Sequence, residues 1–101
     1  MLTSKQRAQL RGLAATEDTI VHIGKGGITD NIVTQMSILL DSHELVKGRV
    51  LENSLLSARE ACDRLAEVCR AEPVQVIGSK FVLYKRNEQK PKIELVKKAR
   101  K

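Results

Sequence analysis

A β-branched run, Thr19-Ile20-Val21-His22-Ile23, leads directly into Gly24-Lys25-Gly26-Gly27, and a helical repeat begins almost at once beyond Ile28-Thr29. The first stretch reads as a buried strand. In the second, Ile32, Val33, Met36, Leu39 and Leu40 recur at the spacing of one helix face. Thr29 is a suitable N-cap, and Ile28 with Val33 is placed as a hydrophobic staple. Glycine permits φ > 0 and close backbone approach, while a helix N-terminus carries unpaired N–H donors and a partial positive charge. Strand, glycine loop, lysine and helix start together describe an anion site, and the expected anion is a phosphate. The same residues also read as a tight strand-to-helix turn. Asp30 in the first helical turn would repel a phosphate, although it suits the helix dipole.

The rest of the chain arranges itself around this unit. Residues 3–15 are predicted to form a helix, with Thr3 and Gln6 as a capping box. Its inward stripe is Leu10, Leu13 and Ala14, and Arg7 and Arg11 share the outward one. The helix after the glycine loop spans about 30–41, and Ser42-His43 turns the chain into a strand over 44–51. There Val46 and Val50 share one face while Lys47 and Arg49 share the other. Ser57 and Glu60 form a second capping box, opening a helix that ends near Ala71-Glu72 ahead of Pro73. Val74–Ile77 and Lys80–Tyr84, joined by Gly78-Ser79, read as a hairpin with a two-residue turn. The order α-β-α-β-α-β-β gives a compact α/β domain with a mixed four-stranded sheet, part of it parallel. No repeat or second domain is visible.

Charge is unevenly placed. Of the 18 Lys/Arg and 12 Asp/Glu, those before residue 85 cancel, so the net charge of +6 lies wholly in 85–101. A neutral body, residues 1–84, with a basic extension suggests a polyanionic partner, nucleic acid before membrane; the domain is expected to span 1–86, with a basic and flexible tail over 87–101. The alternative reading of the tail is a solvated extension that aids solubility. Ile93-Glu94-Leu95-Val96 is a candidate docked segment, but fraying is the expectation there. No apolar run approaches the ~20 residues of a membrane span, and no signal-like stretch opens the chain. A cytoplasmic location follows as the expectation. Cys62 and Cys69, seven apart on one helix, are ~10 Å apart, too far for a disulfide, and read as buried packing. His22 and His43 have no serine, cysteine or carboxylate arranged with them catalytically, so no enzyme is expected. No metal or other cofactor is expected either.

Other glycine motifs fit less well. A nucleotide-binding P-loop needs Lys followed by Ser or Thr after a longer glycine spacing, and a dinucleotide fingerprint needs a third small residue where Thr29 stands. The G-x-x-G loop of KH domains, which clamps nucleic-acid backbone, matches Gly24–Gly27, but joins two helices. Leu2-Thr3-Ser4-Lys5-Gln6-Arg7, Ile23–Thr29, His43-Glu44-Leu45-Val46-Lys47, Val74–Gly78 and Phe81–Tyr84, taken together and in order, closely resemble the CRM domain. This is the chloroplast RNA splicing and ribosome maturation module, in its bacterial stand-alone, YhbY-like form. The likeness covers about residues 2–86; the tail is outside it. Gly48 departs from it, standing where many members have an apolar strand residue, and is expected to weaken its strand.

The resemblance implies a fold similar to the C-terminal domain of translation initiation factor three. It also implies RNA binding through Gly24, Lys25, Gly26 and Gly27, with Thr29 at the helix entrance, and association with precursors of the large ribosomal subunit. Arg7, Arg11, Lys47 and Arg49 are candidate flanking contacts, each pair also readable as an ordinary solvated face. Phe81 reads as core, and Tyr84 as either sheet packing or a base-stacking ring. With so few aromatics, recognition is expected to lean on backbone and shape. The partner expected is ribosomal RNA or its precursor particle, bound by a monomer with no membrane contact. Other structured RNAs, as in intron splicing or RNA chaperoning, and a protein-interaction module using a sheet edge and the tail, are the alternatives.

Overall fold

The computed structural model describes residues 2–86 and Ile93. Seven elements follow in the expected order: α1 (Ser4–Ala14), β1 (Thr19–Ile23), α2 (Asp30–His43), β2 (Leu45–Val50), α3 (Ala58–Cys69), β3 (Glu72–Ile77) and β4 (Lys80–Tyr84). Each helix begins where its cap residue stands. Thr3 Oγ1 accepts from the Gln6 N–H at 3.1 Å while Gln6 Oε1 accepts from the Thr3 N–H at 3.0 Å. Ser57 and Glu60 repeat the pattern at 3.1 and 3.0 Å, so two orphan donors at each helix start are satisfied reciprocally.

Helix ends were less marked. α2 runs two residues past the expected stop at Asp41, because Glu44 adopts φ 64 and donates its N–H to Leu40 O, closing the last turn without glycine. α3 stops at Cys69 rather than 71, with Arg70 in the left-handed region. β3 begins at Glu72, two residues early, and includes Pro73. It is an edge strand, where a missing N–H is tolerated, and its register shifts between Pro73 and Gln75.

The sheet order is β1-β2-β4-β3. β1 lies parallel to β2, and β4 runs antiparallel to both of its neighbours. Thus the hairpin inserts its returning strand between β2 and β3. α2 and α3 cover one face, where Val21, Ile23, Val46, Val50, Phe81 and Leu83 meet Met36, Leu40, Cys62 and Leu65. α1 covers the other, with Leu10 and Ala14 on Leu45, Val74, Val82 and Tyr84. The alternation of Val46 and Val50 against Lys47 and Arg49 therefore separates the two faces as expected. Both thiols are free and buried, and burial pushes the Cys62 thiol up to about 11.

Gly48 proves to make room. A Cβ there would lie 2.4 Å from Phe81 Cζ, and Phe81 is its cross-strand partner and fully buried. The glycine lets the ring lie over the β2 backbone, so the weakness expected of the strand is offset by an aromatic side chain. One residue of the tail also departs from fraying. Ile93 packs against the α1-side cluster and donates its N–H to Glu44 Oε1 at 2.7 Å. The remainder of 87–101 lies outside the described residues.

Candidate nucleic-acid interface

β1 and β2 end side by side, Ile23 opposite Val50, and the Leu51 N–H donates to Ile23 O at 2.8 Å. Beyond that bond the chain turns sharply. The Gly27 N–H donates to Gly24 O at 3.0 Å, leaving Lys25 and Gly26 at the exposed tip. Only Gly27 has a backbone that demands glycine, with φ +70. Its N–H is committed within the turn, so the four amides of the loop are not equivalent. Those of Lys25 and Gly26 have no partner among the described residues and are the donors left for a ligand.

The 51–56 connection braces the loop from beneath. Methyl groups added at Gly24 and Gly27 would come within 3.6 Å of Asn53 Oδ1 and 3.8 Å of Leu56 Cδ1, respectively. Thr29 then caps α2, its Oγ1 accepting from the Ile32 N–H at 3.2 Å. That cap leaves the N–H groups of Asp30 and Asn31 without intrahelical acceptors, adding positive potential close to the loop. Lys25 is exposed and forms no ion pair with any described residue. Thr29 therefore acts first as a helix cap, whereas Lys25 is a free cation on a turn rich in amide donors.

The four flanking residues fall into two places. Lys47 and Arg49 lie on the α1 face of β2, and Arg11 meets Lys47 across a cleft of about 300 Å³ that also takes in Gln75, Ile77 and Lys80. The Lys47 ammonium donates to Ala14 O at 3.3 Å, closing the end of α1, so this lysine has a structural task. Arg7 is set apart. It lines a separate recess of about 280 Å³ over the β3 edge, with Arg59 and Asp63. Sharing one helix stripe did not bring Arg7 and Arg11 to one site, because Arg7 lies toward α3 at the β3 edge, near Arg59 and Asp63, whereas Arg11 lies toward Lys47 of β2 and Lys80 of β4.

Two residues at this corner were not expected. Lys80 opens β4 directly beside Arg49, and His22 of β1 lies on Arg49's other side. Only the strand register reveals them. The aromatic residues, by contrast, are withdrawn: Phe81 and Tyr84 are 0 % and 3 % exposed. Tyr84 belongs to sheet packing, and the stacking role is unavailable to it. Its hydroxyl is buried without a hydrogen-bond partner among the described residues, and burial, followed by the Glu44 charge, raises its pKa. Among the described residues, no three His, Cys, Asp or Glu side chains gather to hold a metal, and no helix is long and apolar enough to cross a membrane.

Comparison with known proteins places this geometry in a family. Residues 2–85 match the model of the CRS1 / YhbY (CRM) domain. A Bacillus subtilis protein named "Probable RNA-binding protein YqeI" is 38 % identical over 95 residues, which cover 94 % of this chain and 99 % of that one. A Haemophilus influenzae protein named "RNA-binding protein" is 31 % identical over 97 residues, covering 96 % and 97 % respectively. The solution structure of a Staphylococcus aureus protein superposes with a TM-score of 0.79 at 44 % identity, covering 95 % of this chain and 100 % of that one. The three helices and the four-stranded mixed sheet closely match that structure, and the chain belongs to the CRS1 / YhbY (CRM) domain family.

Proposed function

We propose that this protein binds RNA through the Gly24–Gly27 turn, that its ligand is large-subunit ribosomal RNA or a precursor particle, and that it acts in assembly of that subunit. The observation that carries the reading is the exposed tip of the turn. Among the described residues it offers two uncommitted amides and an unpaired lysine beside a helix N-terminus, the arrangement that receives a phosphate. The relatives named as RNA-binding proteins, matched along nearly their full length, speak for RNA as the polyanion. The ribosomal assignment rests on what the CRM resemblance implies. The role is binding rather than catalysis, in the cytoplasm, by a single copy of the chain.

The test is sedimentation of the tagged protein from cell extract through a density gradient, at low and moderate salt, with and without nuclease. Nuclease-sensitive co-migration with large-subunit precursors is the expected result. A protein that stays at the top under every condition would end the ribosomal reading.

A further inference from the structure

α1 covers β2, β4 and β3 but leaves one corner of its sheet face open, at the end where the glycine turn lies. The register sets a row across that corner. His22 pairs with Arg49, Arg49 with Lys80, and Lys80 with Ile77. The neighbours of these residues along their strands, Val21, Val50, Phe81 and Val76, face α2 and α3, so the four side chains project together on the α1 side. All four are exposed. Lys47 lies one step behind on β2, and Arg11 overlooks it from α1. Across the four strands the sole carboxylate is Glu72, at the opposite end of the sheet beside Tyr84.

We infer that this row is a second contact surface for the sugar–phosphate backbone, and that the RNA it fits is base-paired rather than single-stranded. The inference rests on the RNA-binding reading above and narrows its ligand class. Strands ~4.8 Å apart carry His22, Arg49 and Lys80 across a flat span of ~10 Å, and Lys25 adds a cation beyond the strand ends. Surfaces that hold single strands combine a basic track with aromatic rings on which bases stack. Here the Phe81 and Tyr84 rings are buried and His22 is the single exposed ring in the row, so there is no run of aromatic faces on which successive bases could stack. What remains is phosphate contact, and that favours a duplex, whose denser charge releases about 0.9 counterion per contact against about 0.7 for a single strand. The wide, shallow minor groove of an RNA helix, lined by phosphates and 2′-hydroxyls, suits a flat polar row.

The experiment is fluorescence anisotropy with a blunt RNA duplex of about 16 base pairs and with one of its strands alone, across a salt series. The duplex is expected to bind at least about tenfold more tightly. The Arg49→Ala/Lys80→Ala double variant should lose about two from the duplex salt slope with an unchanged melting temperature. Arg49→Lys, which keeps charge but not the planar guanidinium, should retain most duplex binding. Single strand bound as tightly as duplex, a full salt slope in the double variant, or collapse of binding in Arg49→Lys would each overturn the inference and leave RNA binding standing. Failure to bind either RNA would remove both.

Discussion

At position 48 the absence of a side chain is what Phe81 requires. The ring is fully buried and packed on all sides, so it cannot swing away from an added methyl that would lie 2.4 Å from Cζ and 2.8 Å from Cε1. Gly48→Ala is expected to destabilise the domain by about 1–3 kcal/mol, the usual cost of overpacking a core, seen as a lower urea midpoint. Adding Phe81→Leu should recover part of that loss, and a double-mutant cycle measures the coupling. A second prediction at this scale concerns Lys25. Its ammonium stands clear of every described carboxylate, so Lys25→Ala should leave the urea midpoint unchanged and reduce the salt slope of RNA binding by ~1. An unaltered slope would remove this lysine from the contact. That Lys25 stands on a glycine turn was legible from its neighbours in sequence. Position 48 was not, because the partner that explains it lies 33 residues away on another strand.

Helix starts and helix ends differ in how openly they are encoded. A start is marked by short-range chemistry: Ser57 and Glu60 need only be three apart to exchange hydrogen bonds. Removing that cap by Ser57→Ala should cost about 1 kcal/mol in the urea midpoint near neutral pH. The Glu60 carboxyl is held below its ordinary value of 4.5, chiefly by hydrogen bonds from the Ser57 backbone N–H and then from its hydroxyl. A lowered folded-state pKa contributes stability above the unfolded value that is lost as pH falls through the folded one. The gap between wild type and Ser57→Ala should therefore narrow on acidification below that carboxylate range, and a constant gap would contradict the cap's dependence on the charge. The ends carry no such mark. α2 and α3 close on Glu44 and Arg70, both at positive φ and neither a glycine. Glu44 is held there by burial and by its contact with Ile93, both of them tertiary. Pro73 misled in the same way, since only an edge position makes it compatible with a strand.

The whole molecule is three layers sharing one sheet, and two natural probes report on its two faces. Cys62 lies on the buried face of α3, and Tyr84, the only tyrosine in a chain without tryptophan, lies under α1. Because β2 and β4 contribute residues to both clusters, neither face can lose its packing while the other persists. Urea titrations followed by Tyr84 fluorescence and by thiol labelling of Cys62 should coincide; labelling at lower urea would mean that α2 and α3 detach first. By itself the sequence determined the order of elements, the helix starts, the separation of Val46 and Val50 from Lys47 and Arg49, and the glycine turn with its lysine. These follow from period, capping and backbone freedom, which act over a few residues. The tertiary structure alone decided that β4 enters between β2 and β3, which brings Lys80 beside Arg49 and Phe81 over Gly48. It also parted Arg7 from Arg11, withdrew Tyr84 from solvent and left His22 at an open corner. Each of these depends on which strands become neighbours and which face a helix covers. Those outcomes are set by burying apolar surface from distant parts of the chain together, and no local pattern carries them.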